Sequence, residues 1–201
     1  MYRGDKPKIF PIIVIIIVIA LIIAAIASVV RMIATNGSQT TSDSAQKTDS
    51  IRDQLLNTDA TSSVRWTVRG PIVADENFRS YQIEISPSKR TYTVYQGYLD
   101  KKISEKTYEN NQQAYEEFVF ALDKADIDQT RTVANDDMRG VCATAGRLYT
   151  FETISSNTMK SRIWTSTCEG SPGSMQADVS RVHALFVNQV PNFEPLFDRV
   201  Q

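Results

Sequence analysis

Cys142 and Cys168 are the only two cysteines of the chain, and its single histidine is His183. Two chemistries suit such a set. Cysteines carried on the two strands of one hairpin would close a structural disulfide, worth ~2 to 4 kcal/mol through restriction of the unfolded chain. A thiolate served by the His183 imidazole would instead be a nucleophile, and the second cysteine would then be idle or regulatory. The spacing favours the bridge, because the pair brackets the turn-rich stretch Ser155-Ser156-Asn157-Thr158 symmetrically. One histidine and two cysteines cannot fill a four-ligand zinc site, and neither H-E-x-x-H nor a paired C-x-x-C occurs. No catalytic, cofactor-binding or metal-ligating residue is therefore assigned, and no cofactor is expected.

Other clusters read as less specific. Asp123, Asp126 and Asp128, and separately Asn135, Asp136 and Asp137, are oxygen-rich but lack the central glycine and distal glutamate of a calcium loop. They read as solvated loops. Gly170-Ser171-Pro172-Gly173-Ser174 is not G-x-S-x-G, and Pro172 is wrong for the strained turn of a nucleophile elbow. A hydrolase would need carboxylates such as Glu84, Glu116 or Glu152 to converge in a pocket with raised pKa values. Tyrosines concentrate in the first half of the chain. Alternation places Tyr92 and Tyr98 on one sheet face and Tyr95 on the other, so one set belongs to the core and the other is a candidate binding surface.

The elements that would carry these residues follow from periodicity. Val64, Trp66 and Val68 alternate with Arg65, Thr67 and Arg69, the period of a half-buried strand. A second strand runs over 78–85 and a third over 90–99, joined at Ser86-Pro87-Ser88-Lys89. That turn sets Ile83 opposite Tyr92 and Tyr81 opposite Val94. A helix is predicted over 110–125, from the spacing of Ala114, Tyr115, Phe118, Leu122 and Ala125, with Asn110 and Gln113 as a capping box. A second hairpin is predicted over 147–154 and 160–167, and a last helix over 176–189. The fold class is α+β: an antiparallel sheet of about five strands with two helices packed on one face.

Ahead of this domain, residues 9–30 carry no charge and are apolar around the whole helix circumference. At 1.5 Å rise, such a run matches the ~30 Å hydrocarbon core of a bilayer. Arg3, Lys6 and Lys8 precede it and only Arg31 follows closely, so the N-terminus is expected in the cytoplasm and the rest exported. Cleavage after Ala27 is the rival reading, since Ala25-Ile26-Ala27 has the small-x-small pattern of a signal peptide. Ala20, Ala24 and Ser28 recur on one helix face and would allow a close helix contact. The expected organisation is a basic tail over 1–8, a transmembrane signal anchor over 9–30, a polar Ser/Thr-rich linker over 31–62 and an extracytoplasmic domain over 63–201. Within the linker, residues 51–56 form an amphipathic piece able to make a helical turn against the domain or a neighbouring copy.

The chain holds 22 basic and 23 acidic side chains, and four of the former but only Asp5 of the latter lie in the first 34 residues. The exported part is thus mildly acidic and offers no field for nucleic acid. The stretch VRWTVRGPIVADENFRSYQIEISPSKRTYTVYQGY, after a basic tail and an Ile-rich anchor, resembles uncharacterised signal-anchored proteins of small-genome episymbiotic bacteria. The resemblance implies an anchor, export and an envelope setting, and transfers no functional residue. The expected function is a non-enzymatic binding module at the cell membrane, with the lipid bilayer held through residues 9–30 and an envelope protein or surface ligand as partner. The alternatives are an accessory or assembly subunit of a membrane complex and a hydrolase with an unrecognised site.

Overall fold

The computed structural model describes residues 51–142 and 144–194. The tail, the anchor over 9–30, the Ala20, Ala24 and Ser28 face, the cleavage point after Ala27 and the first part of the linker all lie outside the described residues. Among the described residues no helix is long and apolar enough to cross a membrane.

The domain is α+β with six antiparallel strands: β1 Ser62–Arg69, β2 Arg79–Ile85, β3 Lys89–Gln96, β4 Lys101–Glu109, β5 Leu148–Ser155 and β6 Thr158–Ser166. Their spatial order is β4-β3-β2-β1-β5-β6. Three helical segments accompany them: α1 over 51–56, α2 Gln112–Asp123 and α3 Val179–Val187. The central strand β1 is the one whose sequence alternates most cleanly. Its Val64, Trp66 and Val68 are all buried on one face, while Arg65, Thr67 and Arg69 point to the other. The expected pairing of β2 with β3 holds, with Ile83 opposite Tyr92 and Tyr81 opposite Val94.

All three helices pack on the face that carries Trp66. Phe186 of α3 stacks on Trp66 at 5.4 Å between ring centroids, and Phe118 of α2 meets Phe186 edge-on at 5.1 Å. Asn111 caps α2 by accepting from the Ala114 amide at 2.9 Å, and Asp178 caps α3 by accepting from the amides of Ser180 and Arg181. The cap of α2 is thus Asn111 and not Asn110, whose side chain instead donates to the Ser86 carbonyl.

The sheet departs from the sequence expectation in its strand count. The sheet has six strands, because Lys101–Glu109 adds an edge strand whose side chains are nearly all exposed and whose charges hide any alternation. The segment 51–56, placed within the linker but expected to be able to make a helical turn against the domain, does so: Ile51 and Leu55 are 1% and 0% exposed in the core, and Arg52 bridges Asp123 at 2.7 Å. Its apolar pair is short, but it completes the helical layer beside α2.

The two ends of the sheet differ. At one end the connections are tight: residues 86–88 join β2 to β3, and Ser156 and Asn157, both left-handed with φ of 52° and 59°, join β5 to β6. At the other end the segments 70–78, 97–100, 124–147 and 167–178 gather.

Candidate functional site at the loop-built end of the sheet

The Cys142–Cys168 disulfide lies at this loop end, with the Cα atoms 5.3 Å apart. Cys168 follows β6, Cys142 precedes β5, and the two-residue turn keeps those strands in register, with Leu148 opposite Ser166. The bridge belongs to a small second core with Leu148 and Trp164, on the face opposite His183. His183 accepts a hydrogen bond from the Trp66 indole at 3.2 Å, and both cysteines are oxidised, so no thiolate–imidazole pair exists among the described residues.

The disulfide fixes more than its own loop. The Cys142 carbonyl accepts from the Ile72 amide at 3.1 Å, which ties the β1–β2 connection to the bridge. Beyond it, residues 131–141 and 170–173 face each other across a cleft of about 550 Å³ with Trp164 at its base. Three devices hold the walls. Arg131 donates from Nε to the Gly173 carbonyl at 2.7 Å and from Nη2 to the Pro172 carbonyl at 2.8 Å. The Trp164 indole donates to Asp136 at 2.7 Å. Asn135 accepts from the Asp137 amide, and Asp137 accepts from both the backbone and the guanidinium of Arg139. The Arg139 guanidinium lowers the Asp137 carboxyl to about 2. The run Asn135 to Asp137 is exposed, as the solvated-loop reading expects, and its internal hydrogen bonds shape one wall of the cleft.

A second cavity of about 180 Å³ adjoins the cleft through Arg139, Gly140 and Val141, and is lined by Ile72, Phe78 and Leu148. Arg69 lies over the Phe78 ring at 5.2 Å on its rim. At its mouth, the lining residues Ile72 and Tyr98 form an exposed apolar tip with Val73 and Leu99, of which Leu99 is 95% exposed.

The three tyrosines proposed as a surface occupy three different environments. Tyr92 is buried on the helix-covered face between Tyr81 and Phe193, and burial pushes its phenol up to about 12. Tyr95 is on the uncovered face, donating to Gln82 at 3.1 Å. Tyr98 falls past the end of β3, stacks on Phe78 at 4.2 Å and holds the Val73 backbone through its hydroxyl. β3 ends at Gln96 and the left-handed Gly97 turns the chain, which breaks the alternation that would have placed Tyr92 and Tyr98 together. Only Tyr98 belongs to the loop end.

Glu84 and Glu152 do approach each other, but through Arg65, which pairs with the first at 2.9 Å and the second at 3.2 Å on the uncovered face. Glu116 is on α2, bonded to Gln112, across the sheet. The three carboxylates do not converge. Asp123 is spent on Arg52, and among the described residues no group of three acidic, histidine or cysteine side chains could hold a metal ion.

Arg131, Arg139 and Trp164 escaped sequence reasoning because the cleft joins segments some forty positions apart and no short motif links them. Compared with known protein families and with curated proteins, the chain matches neither a family model nor a curated sequence.

Proposed function

We propose that the chain is a membrane-anchored, extracytoplasmic binding module without catalytic activity, and that the loop-built end of its sheet is the binding surface. The Cys142–Cys168 disulfide carries this reading on two counts. A disulfide closing a small second core suits an oxidising compartment, which agrees with export behind the apolar stretch 9–30. The same bond braces the clefts and the apolar tip, so the surface is pre-organised and ordering it on binding costs little. Exposed Ile72, Val73 and Leu99 beside a walled cleft are the kind of apolar patch that marks an interaction site on a soluble domain. A photo-crosslinking residue placed at Ile72 or Leu99 in intact expressing cells should give a discrete adduct. The same probe at Asn157, on the opposite end of the sheet, should give none. Adducts of equal yield at both ends, or at neither, would remove the binding role from the loop end.

A further inference from the structure

We infer that the two neighbouring cavities at the loop end, which share the 139–141 wall, bind an acidic peptide segment, with one apolar side chain in the smaller pocket and a carboxylate on Arg131. This rests on the binding-module reading and names its ligand class.

The charge balance along the groove points to an anion. Arg131 spends Nε and Nη2 on the carbonyls of Gly173, Pro172 and Met175, neutral acceptors that fix the guanidinium without cancelling its charge. Its Nη1 donors hold no partner among the described residues, and no carboxylate pairs with it there. Arg69 is likewise held by a ring, that of Phe78, and not by a carboxylate. Of the acids nearest the cleft, Asp137 is paired with Arg139, while Asp136 accepts from the neutral Trp164 indole and keeps its charge, directed at that ring and not at Arg131. The groove therefore carries three guanidinium groups, of Arg69, Arg131 and Arg139, against the carboxylates of Asp136 and Asp137, and Arg131 keeps its Nη1 donors for a charge-assisted contact with a carboxylate.

The apolar part narrows the ligand further. The cavity of about 180 Å³ among Ile72, Phe78 and Leu148 is of side-chain size and is separated from the Arg131 cleft by the shared wall of Arg139, Gly140 and Val141. A simple anion would leave this pocket unused, and a long acyl chain has no continuation there. A peptide that alternates apolar and acidic residues satisfies both parts at once.

The test uses the full-length chain in detergent micelles and three rhodamine-labelled peptides: one alternating Leu and Asp, one alternating Leu and Asn, and one alternating Leu and Lys. Fluorescence anisotropy should show the Asp peptide binding about tenfold tighter than the Asn peptide, as expected for one charge-assisted contact. The Lys peptide should bind weakest. Arg131→Gln should bring the Asp peptide down to the affinity of the Asn peptide. Since Arg131 also braces two loops, Arg69→Gln is the second variant: it removes a charge without removing a loop hydrogen bond, and should weaken the Asp peptide several-fold at an unchanged melting midpoint. Equal binding of the Asp and Asn peptides, or indifference of the Asp peptide to both variants, overturns the inference. If crosslinks still form from Ile72 or Leu99 while the Asp peptide fails, the binding module stands and its ligand is not acidic; if both fail, the binding reading falls with it.

Discussion

The indole nitrogen of Trp66 donates to Nδ1 of His183 across 3.2 Å, in the middle of the helix-covered face of the sheet. An imidazole that accepts at Nδ1 is neutral, so protonation at that nitrogen would break the bond and leave the indole N–H without its acceptor. The rings of Tyr81 and Tyr149 face the same imidazole, and Arg147 adds a like charge. Burial first, and Arg147 second, lower the His183 pKa below 6.5.

Stability should therefore depend on pH through this residue. The unfolded chain takes up a proton near pH ~6.5 that the folded chain resists, so the contribution is fully present above that pH and is lost as pH falls through it. Urea unfolding of the wild type and of His183→Gln, compared at pH ~7.5 and ~5.5, should show the wild type losing more stability on acidification. Parallel losses in the two proteins would mean that His183 titrates equally in both states.

Leu55 is fully buried although it precedes the first strand in a Ser- and Thr-rich stretch. Leu55→Ala should cost about 2 to 5 kcal/mol, the range for truncating a buried leucine. Leu56→Ala, at a half-buried neighbour, should cost less. A change at Leu55 no larger than a surface substitution, within ~0.5 kcal/mol, would place α1 outside the cooperative domain.

That segment illustrates what the sequence makes legible and what it does not. The β2–β3 register could be read because every second residue is apolar and a short turn pins the phase, so Ile83 had one partner that kept both faces consistent. The disulfide was legible for the same reason, since strand pairing across a two-residue turn carries flanking residues together. β4 was not, because an edge strand beside Tyr92 and Val94 buries little and its lysines and glutamates carry no period of two. α1 was legible in part: the apolar residues of 51–56 marked a helical turn able to pack on the domain or on a neighbouring copy, and a polar context left the choice between them open. The cleft was least legible of all: Arg131 finds Gly173 only because Thr130 and Met175 form an isolated antiparallel bridge, a long-range contact without a local signature.

The Cys142–Cys168 bond closes a loop of sequence separation 26 and anchors the β1–β2 connection through Ile72. Replacing both cysteines by serine should lower the unfolding free energy by about 2 to 4 kcal/mol. In intact cells, a membrane-impermeant maleimide should label the wild type only after reduction. Labelling without reduction would show a free thiol, and absence of labelling after reduction would argue against export.

Gly170 and Gly173 share a left-handed backbone, with φ of 75° and 68°, yet only one of them is crowded. A Cβ at Gly170 would meet open space, so Gly170→Ala should cost only the backbone strain of an L-residue at positive φ, about 1 kcal/mol. A Cβ at Gly173 would collide with the Trp164 carbonyl and indole ring, which cannot yield without moving β6. Gly173→Ala should therefore cost a further ~1 to 3 kcal/mol from overpacking and displace the carbonyl that holds Arg131. Thermal melts of the two variants give the stability difference, and binding of the Leu–Asp peptide reports on the cleft: Gly170→Ala should retain it and Gly173→Ala should lose it. Equal melting midpoints for the two would show that the 170–173 wall gives way freely, and a wall that soft could not keep Arg131 poised.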